Sequence, residues 1–98
     1  MKRNLNSKVI ATGLFNVAEQ INALNRVKDS LSLLNHIVMN SSQFRVLIQS
    51  KKLKGKSKVE ILNSVLGDLS HPLVNEVVSY LKGSSAANEL REISNFFE

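Results

Sequence analysis

The segment from Val9 to Ile21 constrains this chain most, because its apolar arc is wider than one buried helix face requires. On a helical wheel of about 100° per residue, Val9, Ile10, Gly13, Leu14, Val17, Ala18 and Ile21 fall together. Ala11 and Phe15 extend the arc, and only Thr12, Asn16, Glu19 and Gln20 gather opposite. A core-facing surface helix needs an apolar stripe of roughly 100°. This arc spans roughly 240° by the same geometry. One part of it serves the protein's own core. The rest has to be covered by a neighbouring element, a tightly wrapped core or another molecule.

The pattern stays helical to the end of the chain, with no period-two run bounded by hairpin turns. One proline and four glycines supply the main breaks. The first helix is expected from about Asn6 to Glu19. Asn22 reads as the N-cap of a second, from about Ala23 to Asn40, since a side-chain carbonyl there can accept from the orphan amides of the first turn. Leu24, Val27, Leu31, Leu34 and Val38 keep the three-then-four spacing of a core stripe, and Leu33 and Ile37 widen it, which makes this helix central. Ser41 or Ser42 caps a short third helix, Gln43 to Gln49, with Phe44, Leu47 and Ile48 inward. After a polar, basic segment, Ser57-Lys58-Val59-Glu60 fits a capping box at the start of a fourth helix, expected to bury Val59, Leu62, Val65, Leu66 and Leu69. Pro72 suits a first helical turn and opens a fifth helix to Lys82, with Leu73, Val74, Val77, Val78 and Leu81 on one face. Gly83-Ser84-Ser85 separates it from a sixth, Ala86 to Phe97, which buries Leu90, Ile93 and Phe97. The expected fold class is all-α, a compact bundle of six short helices.

Ninety-eight residues suit a single domain. A chain of this size buries roughly 60% of its unfolded surface or somewhat more, enough to fold without cross-links. It contains no cysteine, which excludes disulfides and thiolate metal sites. No apolar run approaches the length of a membrane span. Lys2 and Arg3 imitate a signal-peptide start, but Asn4, Asn6, Ser7 and Lys8 interrupt it and no cleavage site follows. The absence of acids before Glu19 leaves an organelle presequence open.

Catalytic groupings are missing. His36 has no acid at helical spacing to orient it, and His71 precedes Pro72 in a turn, so both read as surface or capping residues. Asp29 stands alone. Glu89 and Glu92 flank Arg91 on a helix expected to be exposed, whereas a general acid/base pair needs a shielded site to separate its pKa values. Gly55-Lys56-Ser57 imitates the tail of a phosphate loop without its upstream glycine or preceding strand. The expectation is a non-enzymatic protein with no cofactor and no metal.

The net charge is +5, from 13 basic and 8 acidic residues. Five of those bases (Lys51, Lys52, Lys54, Lys56 and Lys58) fall within one short stretch. A nucleic-acid surface would spread such charges along a face and interleave aromatics, and no aromatic stands here. A solvated basic loop, or attraction to an acidic partner or lipid surface, explains the cluster better.

Taken in order, several blocks resemble the N-terminal domain of the delta subunit of F-type ATP synthase, whose mitochondrial relative is the oligomycin sensitivity-conferring protein. Ile10-Ala11-Thr12-Gly13-Leu14-Phe15-Asn16-Val17-Ala18 resembles the family's opening Tyr-Ala-x-Ala-Leu-Phe-x-x-Ala. Leu24, Val27, Leu31 and Leu34 follow at the family's spacing. Phe44-Arg45-Val46-Leu47-Ile48-Gln49-Ser50 resembles its Phe-x-x-Leu-Leu-x-Ser-Pro, and Lys58 to Leu62 resembles its Lys-x-x-x-Leu. Leu90 to Phe97 resembles the closing Leu-x-x-Ile-x-x-x-Phe. The chain departs in having Ile10 for tyrosine, Gly13 for alanine, Lys51 where proline is common, and Gly83-Ser84-Ser85-Ala86 in place of Glu-Asn-x-Arg.

The resemblance implies a six-helix bundle whose fourth helix starts earlier, near Lys54. It also implies a module of the ATP synthase stator, peripheral to an energy-transducing membrane such as the bacterial cytoplasmic face. Such a module grips the amphipathic N-terminal helix of an alpha subunit in a groove between helices one and five. Carried onto this chain, the groove draws on Ala11, Leu14, Phe15 and Ala18 facing Val74, Val77, Val78 and Leu81. Val9, Ile10, Val17 and Ile21 are then expected to serve the bundle. Helix-in-groove recognition works through such stripes. Contact with the peripheral stalk belongs to the family's C-terminal domain, expected to be absent from residues 1–98, and would run only through that missing domain or a separate one. The alternatives are a small basic helical protein that binds nucleic acid through Lys51 to Lys58, or a standalone paralogue acting as an assembly factor or regulator.

Overall fold

A computed structural model describes residues 7–97 of the chain. Six α-helices follow one another: α1 Ser7–Gln20, α2 Leu24–Asn40, α3 Ser42–Gln49, α4 Gly55–Leu66, α5 Pro72–Tyr80 and α6 Ala86–Phe96. A single 3-10 turn, Gly67–Leu69, links α4 to α5, and no strand occurs among the described residues. The chain is thus the all-α bundle its periodicity predicts. The start expected at Asn6 lies outside the described residues.

Helix α2 is the axis. It packs against α1, α3, α5 and α6, and Val27, Leu31, Leu34 and Val38 are all buried along it. Each such side chain contributes about 1.5–3 kcal/mol on leaving water, so four in one stripe fix the helix at the centre. Helix α1 packs chiefly on α6, where Phe15 meets Phe97 with ring centroids 5.4 Å apart and Phe96 edge-on at 6.2 Å. Helix α4 pairs with α5 instead.

The first connection differs from its expected form. Asn22 does not cap the start of α2. It takes a left-handed conformation (φ 57°) beyond the end of α1. Ala23 N donates to Ala18 O at 2.8 Å and Asn22 N to Glu19 O at 3.1 Å. That pair of bonds is a Schellman motif, and asparagine is one of the few residues that tolerates its left-handed position. Ser41 behaves as expected, its hydroxyl accepting from Phe44 N at the start of α3. Arg45 then reaches back and donates to Val38 O and Met39 O, closing the C-terminal end of α2 with a cation.

The fourth helix is the larger correction. The Ser57 capping box does not form. α4 begins at Gly55 with Lys54 as its N-cap, which supplies no side-chain hydrogen bond. Starting there, the helix turns Lys58 and Leu62 inward and leaves Val65 exposed, with Leu69 exposed in the turn beyond and Val59 and Leu66 half-buried. The early start depends on Gly55. A β-carbon at that position would lie 2.6 Å from Ser79 O, so only glycine lets α4 begin this close to α5.

Candidate functional site

Helices α1 and α5 touch, so the two elements expected to form a partner groove are neighbours. The eight side chains assigned to that groove, however, lie mostly in the core. Ala11 and Ala18 of α1 and Val74, Val78 and Leu81 of the α5 segment are fully buried. Leu14 keeps 7% of its surface and Val77 5%, and Phe15 is half-buried.

The division expected within α1 is therefore reversed. Val9 is 50% exposed, Val17 43% and Ile21 51%. Ile10 is half-buried, and a β-carbon added at Gly13 would meet nothing within 4 Å. The reason is α6. Its Phe96 and Phe97 claim the Phe15 flank of α1, which draws Ala11 and Ala18 inward with it. On the wheel, Leu14 sits at the other flank of the buried arc, bordering Ile10, Val17 and Ile21. The apolar surplus in the sequence is real, but it lies on that side. On α5 the equivalent border residue is Val77, flanked by half-buried Leu73. Val74 and Val78 belong to the core.

The lysine cluster is also rearranged. Lys58 is 1% exposed. Its ammonium donates to Ile48 O at 2.9 Å, in the last turn of α3, and to Leu81 O at 2.6 Å, the C-cap of α5. A cation at the carbonyl ends of two helices gains from both helix dipoles. Burial lowers its pKa, and the nearby positive charge of Lys82 lowers it further. Gly83, in a left-handed turn (φ 84°), donates to Gln49 O at 2.8 Å and completes this junction. In the sequence Lys58 reads as one of five clustered bases. The signal that could have separated it is its place in Lys-x-x-x-Leu, since Leu62 is fully buried one turn later.

The histidines do not form a site. His36 is exposed beside Asn40. His71 is the N-cap of α5, its Nδ1 accepting from Leu73 N at 3.1 Å, and its own backbone amide donates to the buried hydroxyl of Ser30. Burial, then the charge of Arg26, lowers its pKa. Glu89 is buried, contrary to expectation, while Arg91 and Glu92 are exposed, so they do not share a shielded pocket. Among the described residues no group of three or more His, Cys, Asp and Glu stands close enough to hold a metal ion. None of the described helices is long and apolar enough to cross a membrane.

The arrangement suits contact between proteins: an exposed apolar flank on one helix, a basic cleft near three helix ends, and buried polar groups engaged in holding helices together. Compared with known families, residues 8–98 match a family model described as ATP synthase delta (OSCP) subunit. No match is found among curated proteins or among solved structures.

Proposed function

The chain belongs to the ATP synthase delta (OSCP) subunit family, and from that premise we propose that it is a non-enzymatic stator module that grips the N-terminal helix of an alpha subunit. The observation that carries this reading is the exposed apolar flank of α1, where Val17 and Ile21 are about half exposed beside Gly13. A folded domain gains nothing from leaving such a stripe uncovered, and an amphipathic helix laid along it would bury it through contacts at i, i+3 and i+4. Gly13 would let the incoming backbone come close.

The proposed groove keeps the α1–α5 location and changes its lining. Leu14 and Val77, which retain a trace of exposure, form the floor. Ile10, Val17 and Leu73 form the walls. Ala11, Phe15, Ala18, Val74, Val78 and Leu81 support the floor from behind rather than meeting the partner. Joining headpiece to peripheral stalk would additionally require a stalk-binding unit beyond residues 1–98. The module would then belong to an assembly at an energy-transducing membrane, peripheral to the bilayer.

Calorimetric titration with a synthetic peptide of the alpha-subunit N-terminus from the same organism tests the proposal. Apolar groove binding predicts a negative heat-capacity change and weak salt dependence. Val17→Asp should weaken the complex about tenfold or more, while its stability stays within about 0.5 kcal/mol, as for an ordinary surface change. No binding to the unmodified chain, or full binding to the variant, would overturn it.

A further inference from the structure

A second surface stands apart from α1. Lys51, Lys52, Lys54 and Lys82 are exposed around a cleft of about 400 Å³, with Lys58 in its wall and no acidic residue lining it. The fold, not the sequence run, assembles this group. Lys56 does not line the cleft, and Lys82 arrives from the far end of α5. The Lys51 stem lies beside the turn that follows Lys82, since a β-carbon on Gly83 would come within 3.2 Å of its Cε.

We propose that this cleft receives the carboxylates of an acidic polypeptide segment carrying an apolar side chain.

Charge complementarity is the first argument. Four exposed lysines line the cleft beside a fifth that is buried, with no acid among them, and such a concentration of positive charge attracts an anion. The second is the start of α4. Its first amides, on Gly55, Lys56 and Ser57, receive no side-chain cap from Lys54, and no acid stands in the first turn. Such amides favour a carboxylate. The third is the apolar part of the lining. Leu53 and Tyr80 are exposed there, and the Tyr80 hydroxyl is turned to Glu76 at 2.9 Å, leaving its ring as contact surface. The volume is near the lower end for small-ligand clefts, roughly 300–1,000 Å³. It suits a few side chains and offers no track for a polynucleotide. This inference is independent of the α1 groove, which contains none of these lysines.

The test uses the full chain and fluorescence polarisation. The probes are a labelled Glu-rich peptide with one leucine, its Lys-rich counterpart, labelled single-stranded oligo-dT, and inorganic phosphate as competitor. The Glu-rich peptide should bind and move the amide NMR signals of Gly55, Lys56 and Ser57. The double change Lys51→Glu with Lys82→Glu should weaken it about tenfold or more. Lys28→Glu, an exposed charge on α2, should change it less than about twofold at physiological salt, where distant charges are screened. The alpha-subunit peptide should bind the double variant as before, which separates failure here from failure of the groove. Equal weakening by Lys28→Glu would reduce the effect to diffuse net charge and overturn the proposal. So would tighter binding of oligo-dT or of the Lys-rich peptide, or displacement by phosphate as effective as by unlabelled Glu-rich peptide.

Discussion

The α1–α2–α6 side of the molecule and the α4–α5 side are held by different physics. On the first, apolar side chains do the joining: Val27, Leu31, Leu34 and Val38 along α2, and the contacts of Phe15 with Phe96 and Phe97 between α1 and α6. On the second, polar devices reinforce the apolar contacts of Leu62, Val74 and Val78. Lys58 ties the ends of α3 and α5. Asn75 donates to Asn63 across the α4–α5 pair and accepts from Ser70, and Gly55 permits close approach to Ser79. Hydrophobic contact is non-directional and degrades gradually. A buried polar junction fails sharply, because each group left without its partner carries the full desolvation cost.

The sharpest way to break the comparison is Lys58→Met. Methionine fills similar space but leaves Ile48 O and Leu81 O without their charged donor, so urea unfolding should show a loss of about 2–4 kcal/mol. Phe15→Ala should cost somewhat less, about 2–3 kcal/mol, since the ring is half-buried and phenylalanine truncations in full cores cost about 3–5. If Phe15→Ala proves the more damaging, the polar junction does not fail more sharply than the apolar contact. Gly55→Ala comes next. Its β-carbon would have to displace backbone at Ser79, at about 1–3 kcal/mol for overpacking, set against at most about 1 kcal/mol gained in helix propensity. A stabilised Gly55→Ala variant would show that α4 can start elsewhere at no cost.

The same contrast explains what the sequence made legible. The α2 stripe and the Leu90, Ile93 and Phe97 face were readable because apolar periodicity is local and repeats every turn. Lys58 was not, because its partners lie 10 and 23 residues away and the only local mark of its burial is Leu62 one turn later. Asn22 is chemically suited to either end of a helix, so a choice between capping α2 and closing α1 needed the backbone. The Ser57 box lost to Gly55, whose advantage is steric and appears only when α5 is in place. On α1 the width of the apolar arc was legible, while its orientation was set by α6, a helix more than 60 residues downstream. The eight residues expected to line a groove thus come from two helices that touch, but most of them face the core.

The smallest expected effect tests whether the polar side is tuned by protonation as well as geometry. His71 accepts the Leu73 amide through Nδ1, a bond that the neutral ring makes and the protonated ring cannot. Its pKa is lowered from the ordinary 6.5, first by burial and then by Arg26. The unfolded chain therefore takes up a proton at a pH where the folded chain still resists it. The stabilising contribution is fully present above about pH 6.5 and is lost as pH falls through the folded pKa. Thermal melts between pH 7 and 5 should show a modest fall in Tm. His71→Asn keeps a capping oxygen without the titration and should flatten that dependence. An unchanged slope would mean that the proton is taken up elsewhere and that the cap of α5 is indifferent to pH.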